Sequence, residues 1–225
     1  MIAEIVANNI ESLRVERGLT QEEAGKVLGL SRATYSGVES GKRPLALDEL
    51  EKLAEYYNVS VDYFFGRSRK LLKFEQMYLY ILSHFKNGVP KTKLAKLLYL
   101  ADFSKFYDEL ESMSGVDYIC RKYGPVADVF FETTDNFYDN GQIDIIPDEF
   151  TLRIKPLNPP KEYELLSQKD MDRMDKICKL WKNKRTAEIV NYTHNQKPWS
   201  ACLDGEVIPY CLIIQEDPDN VYTPH

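Results

Sequence analysis

The chain has 225 residues, 44% of them hydrophobic and 28% charged, with a formal net charge of −6; this length suits two modest domains, and the composition excludes a fibrous or disordered protein. No apolar run approaches the roughly 18 residues that cross a bilayer, and the start MIAEIVANNIESL lacks a basic region before its apolar residues, so a cytoplasmic protein with no membrane partner is expected. Residues 1–70 hold ten Lys/Arg against eleven Asp/Glu and residues 71–225 nineteen against twenty-four, so attraction to a polyanion cannot be diffuse and any nucleic-acid contact must be local.

Residues 4–17 place Ile5, Val6, Ile10, Leu13 and Val15 at mostly helical spacing, and Gly18 follows as a stop. Thr20 followed three residues later by Glu23 is a capping box that opens a second helix, with Ala24, Val27 and Leu28 as its buried stripe. Gly29 permits a sharp turn, and Ser31 can cap a third helix. There Tyr35 and Val38 face the core, which turns Arg32, Ala33, Ser36 and Gly37 outward as a small polar face. Such a face fits a major groove about 12 Å wide, where a guanidinium bonds guanine O6 and N7. Arg32 is the candidate base reader. Gly41-Lys42-Arg43-Pro44 is a basic turn, a fourth helix opens at Leu47, and Val61, Phe64 and Phe65 close the core before Gly66.

The run LTQEEAGKVLGLSRATYSGVESGKRP, continued by NVSVDYFFG, resembles the phage repressor and Cro (XRE-type) family of helix-turn-helix proteins. The resemblance implies that Gln21 bonds a phosphate, that Arg32 and Ala33 approach base edges, and that Lys42 and Arg43 meet the DNA backbone. Ser31, Ser36 and Gly37 complete the expected DNA-binding set, and Gly37 departs from members that carry a longer polar side chain there. It also implies a structural pair between Arg14 and Glu39. Operator reading calls for a homodimer, because one helix reads only a few base pairs and paired half-sites multiply the specificity.

The expected boundaries are a domain over 1–66, a short basic connection over 67–73 and a second domain over 74–225. In the second, residues 71–86 read as a central core helix, and Thr92 as the cap of a helix over KLAKLLYLADFSKFYDEL that buries Leu94, Leu97, Leu98 and Ala101. Val116–Lys122 reads as a strand, Pro125 as the first position of a helix reaching Tyr138, and 143–146 with 152–155 as a hairpin with Pro147 in its loop. Ser167 and Thr186 read as caps of two later helices, and 207–214 as a further strand. The fold class is thus mainly α: a five-helix repressor-like domain, then a mostly helical domain with a small sheet.

Cys120, Cys178, Cys202 and Cys211 form no C-x-x-C pair and the three histidines are scattered, so reduced, mostly buried thiols are expected and neither a metal nor a cofactor. His194, Asp102 and Cys120 could in principle supply a nucleophile and base, but no spacing brings them together. Asp102 reads as a carboxylate that caps a turn or pairs with a lysine, and His194, near Tyr192 and Trp199, as a packed, hydrogen-bonded histidine.

The combination of KLAKLLYLAD, KYGPV, YTHNQKPW and a Gly-x-x-Ile-x-Tyr ending resembles the Panacea, or SocA-like, antitoxin domain. That resemblance implies a protein that is not an enzyme and that binds and blocks a cognate toxin encoded by the adjacent gene, while its first domain binds double-stranded operator DNA and represses the operon. The toxin-binding residues are unknown from sequence. The alternative is a phage-derived or ligand-responsive transcriptional regulator with no toxin partner.

Overall fold

The computed structural model describes residues 2–66, 69–148 and 151–222. It divides into two compact units, Met1–Arg69 and Lys70–His225.

The first unit holds α1 (Ile2–Glu16), α2 (Gln21–Val27), α3 (Arg32–Glu39), α4 (Leu47–Tyr57) and α5 (Val61–Phe64). Helix α1 buries Ala7, Ile10 and Leu13 and leaves Ile5 and Val15 in solvent. Both stand five residues from Ile10, about 140° round the helix, so they cannot share its face. Phe65, expected in the core, is also exposed, because α5 is a single turn that turns Phe64 inward instead. The core joins Ile10, Leu13, Tyr35, Val38, Leu53, Tyr57 and Phe64. Asn9 ties α5 to α1 by donating from Nδ2 to the Phe64 carbonyl at 3.1 Å.

The second unit opens with α6 (Arg69–Ser83). This helix starts inside the stretch expected as a connection, since no Pro or Gly stops the helical pattern running back from Phe74. Its central element is α7 (Lys91–Glu109), not α6: every side chain from Lys93 to Lys105 is buried. Pro90, rather than Thr92, stands at its N-cap, where a missing N–H costs nothing.

The charged groups that α7 takes into the interior each find a partner. Lys93 Nζ donates to the Lys184 carbonyl at 2.5 Å, and Lys96 Nζ to the Pro125 carbonyl at 2.7 Å. Lys105 pairs with Asp170 at 3.1 Å, which also meets Lys73 at 3.0 Å. Burial pushes the Asp170 carboxyl up, but the two ammonium groups and the Ser167 N–H together hold it below its usual range.

Strands β1 (Val89–Pro90), β4 (Ile143–Asp148) and β5 (Thr151–Pro156) form an antiparallel sheet in the order β1-β5-β4, with Ile145 opposite Ile154. The hairpin is longer than expected: Pro147 lies within β4 opposite Leu152 and not in the loop. Strands β2 (Tyr118–Ile119) and β3 (Val126–Ala127) pair separately. Pro125 therefore precedes a strand, and the next helix, α8 (Phe130–Asp139), starts later than expected.

Helix α9 (Gln168–Trp181) carries the expected Ser167 cap, which closes a capping box with Asp170. In α10 (Thr186–Asn195) the cap is Arg185, one residue before Thr186, and its backbone N–H donates to Glu188 at 2.7 Å. After α11 (Lys197–Ser200), the expected terminal strand shrinks to one bridge between Val207 and Ile119. Pro209 has no N–H to extend the ladder, and a 3-10 turn over Tyr210–Gln215 leads to α12 (Pro218–Tyr222). Among the described residues no helix is long and apolar enough to cross a membrane.

Candidate nucleic-acid interface and second-unit sites

Thr20 and Glu23 close the capping box reciprocally: the Glu23 N–H donates to Thr20 Oγ1 at 3.2 Å and the Thr20 N–H to Glu23 Oε2 at 2.8 Å. The chain then turns through Gly29, at φ +68°, and the Leu30 N–H donates to the Gly25 carbonyl at 2.9 Å. Gly25 makes this corner possible, because a Cβ there would stand 2.9 Å from the Leu30 carbonyl oxygen and 3.3 Å from Tyr35 Cβ. A glycine in mid-helix, destabilising in itself, is the sequence signal for this close approach.

Ser31 Oγ accepts from the Thr34 N–H at 3.2 Å and starts α3. Tyr35 and Val38 are buried at 0% and 2% exposure, which leaves Arg32 and Ala33 exposed and Ser36 and Gly37 half-buried on the other side. Arg32 has no ion-pair partner among the described residues and borders a shallow depression shared with Arg14, Thr20, Gln21 and Glu22. Lys42 is exposed. Arg43 is held by Glu49 at 2.7 Å, and the same carboxylate accepts the Ala46 N–H at 3.0 Å, so its charge is partly neutralised at home. A Cβ on Gly37 would meet only Arg43 Cβ, at 3.7 Å, so the fold does not demand glycine there.

Glu39 ties the three helices together. Its carboxylate accepts from Arg14 Nε at 2.5 Å and Nη2 at 3.0 Å, and from Gln21 Nε2 at 2.8 Å. The hydrogen bond to Glu39 raises the Arg14 pKa further. Gln21 is thereby oriented at the start of α2 with one amide N–H still to donate. Sequence reasoning foresaw Arg14 with Glu39 and missed Gln21 as their third member.

In the second unit, the residues that might have assembled a chemical site are each engaged structurally. Asp102, wholly buried, accepts from the Ser114 N–H and Oγ at 2.6 Å each and from the Tyr118 hydroxyl at 2.8 Å. It caps a turn, as its place in an apolar run suggested. The Cys120 thiol points at the Cys202 carbonyl at 3.5 Å. His194 stacks flat on Trp199, centroids 3.8 Å apart and planes 9° from parallel, and its buried Nε2 has no partner among the described residues. The expectation of a packed, hydrogen-bonded histidine is thus corrected: the ring is packed against the indole, but its Nε2 is without a hydrogen bond among the described residues. Of the four free thiols Cys120 and Cys178 are buried and Cys211 is exposed. No group of His, Cys, Asp and Glu suited to a metal occurs among the described residues.

Residues 10–64 match the family model Helix-turn-helix, and residues 94–200 match Antitoxin SocA-like, Panacea domain. The Cryptic phage CTXphi transcriptional repressor RstR of Vibrio cholerae is 40% identical over 55 residues, which is 24% of this chain and 50% of the relative. The Uncharacterized HTH-type transcriptional regulator YobD of Bacillus subtilis (strain 168) is 37% identical over 57 residues, 25% of this chain and 51% of the relative. The chain spans about half the length of the curated relatives it matches. No solved structure matches it. The matched families are DNA-binding regulators and antitoxin-like proteins, and the chain joins one stretch of each kind.

Proposed function

We propose that this fusion of a repressor-type helix-turn-helix domain with a SocA-like Panacea domain is an antitoxin. Its second unit binds and blocks a toxin encoded by the adjacent gene. Its first unit binds operator DNA as a homodimer and represses the operon. The observation that carries the reading is the joining in one chain of an exposed, unpaired Arg32 on a firmly seated recognition helix with a stretch that matches an antitoxin model.

The DNA half follows from α3. Tyr35 and Val38 anchor the helix, Glu39 locks its end to α1 and α2, and Arg32 projects from its first turn. Placed in a major groove, Arg32 and Ala33 read base edges, while Gln21, Ser31, Ser36, Gly37 and Lys42 position the helix against backbone and groove walls. Arg43 joins them by sharing its guanidinium between Glu49 and a phosphate. The protein half requires no catalytic step, since occlusion of a partner is a matter of binding alone.

Co-expression tests the reading. The neighbouring gene expressed alone should arrest growth, and adding the full chain should restore it, while a reporter behind the operon promoter should fall silent. Rescue without repression would reduce the proposal to its protein half; repression beside a harmless neighbour would favour a transcriptional regulator with no toxin.

A further inference from the structure

The second unit is acidic overall, yet one groove in it is not. A cavity of about 500 Å3 lies beside the start of α7, and Lys91, Arg121 and Lys122 rim it against a single carboxylate among the described residues, Asp204. None of the three cations forms an ion pair among the described residues. Its apolar walls are exposed: Tyr123 at 65%, Phe131 at 53% and Leu152 at 43%. Two of the cations lie over these rings, Lys91 Nζ 4.9 Å from the Phe131 centroid and Lys122 Nζ 5.6 Å from that of Tyr123. Behind them Lys96 donates to the Pro125 carbonyl and has no carboxylate partner among the described residues.

Aromatic side chains left in water beside unneutralised cations match the anchor-and-rim arrangement of a protein interface. A carboxylate arriving at the rim gains three cations and, among the described residues, meets one acid, and an apolar side chain gains the rings and Leu152. A long polyanion fits less well, because the acidic remainder of the unit repels it.

We infer that this groove is the partner-binding site, and that it takes an extended segment of the partner in which an apolar side chain is flanked by carboxylates. This inference rests on the antitoxin reading and adds the place and the chemistry of contact.

The test uses the full chain and the purified product of the adjacent gene, with affinity measured by titration calorimetry. The variants are Lys91→Glu with Lys122→Glu, Phe131→Ala and, as a second apolar change, Leu152→Ser. Lys176→Glu with Lys179→Glu, two exposed lysines on α9, is the control. Circular dichroism establishes that each variant unfolds as the parent does. The charge reversal and the Phe131 change should each weaken binding more than about tenfold, with the control within about twofold. Groove variants that bind as the parent does overturn the inference and leave the antitoxin reading intact. Failure of the parent chain itself to bind overturns both. Loss of self-association, or of binding to a mixed-sequence DNA duplex, with partner affinity unchanged would assign the groove to another occupant and equally overturn it.

Discussion

Replacing Lys96 by methionine should flatten a rise in the second unit's stability with pH. Burial holds the Lys96 ammonium down to about 7, against 10.5 for a free lysine. Its pKa is thus lower folded than unfolded, and between those values the unfolded chain holds a proton that the folded chain has lost. Stability of the parent must therefore rise with pH across that window. For a folded value near 7, the gain from about pH 7 to about pH 8.5 is about 1.6 kcal/mol. Methionine keeps the unbranched stem and gives up the bond to the Pro125 carbonyl, a cost of about 1 kcal/mol. Both tryptophans, Trp181 and Trp199, lie in the second unit, so urea unfolding followed by their fluorescence reports on that unit alone. The window stops near pH 8.5 because the Cys178 thiol, pushed up to about 12 by burial, acts in the opposite direction above its ordinary value. Equal pH slopes in parent and Lys96→Met would refute the assignment of that slope to Lys96.

Arg32→Ala should cost about 1–3 kcal/mol at one operator base position, whereas Lys42→Ala should weaken all sequences alike and flatten the salt dependence; gel-shift titrations over operator variants and salt separate the two. Arg14→Ala leaves the buried Glu39 carboxylate with Gln21 alone and should lower first-unit stability by about 2–4 kcal/mol in thermal unfolding. Gly25→Ala should destabilise that unit by more than about 2 kcal/mol, while Gly37→Ala should be neutral or stabilise it by up to about 1 kcal/mol; the same sign for both would discredit the close approach at the turn. Asp102→Asn puts an amide donor among three donors and should cost the second unit about 2–4 kcal/mol in urea unfolding.

The first unit was legible because its punctuation is local. Thr20 with Glu23, Gly29 and Ser31 each set a boundary through a bond or a dihedral reaching only a few residues, and Tyr35 with Val38 then decided which side of α3 faces out. Arg43 was less legible, since it lies in the turn before α4 and nothing in its surroundings announces an ion pair with Glu49 on that helix. In the second unit the errors share one cause. Pro125 and Pro147 were each assigned by the usual habits of proline, and the extent of pairing in the β2–β3 and β4–β5 hairpins decides their places instead. Nothing in the sequence announces the burial of Lys93, Lys96 and Lys105, because their partners, the carbonyls of Lys184 and Pro125 and the carboxylate of Asp170, come from elsewhere in the chain. The groove residues were invisible as a group, being drawn from α7, the β2–β3 turn, α8 and β5.

A rod enclosed on every side cannot be shortened from either end of its wrapping without exposing it. The stretch that resembles known antitoxins, residues 94–200, omits α6, which shares the core with α7, and the 3-10 turn and α12, which lie against α7. A recombinant fragment cut to those limits would open buried lysines and aromatic rings to water and should collapse into aggregates, so the smallest portable version of this module runs from about Arg69 to about Tyr222.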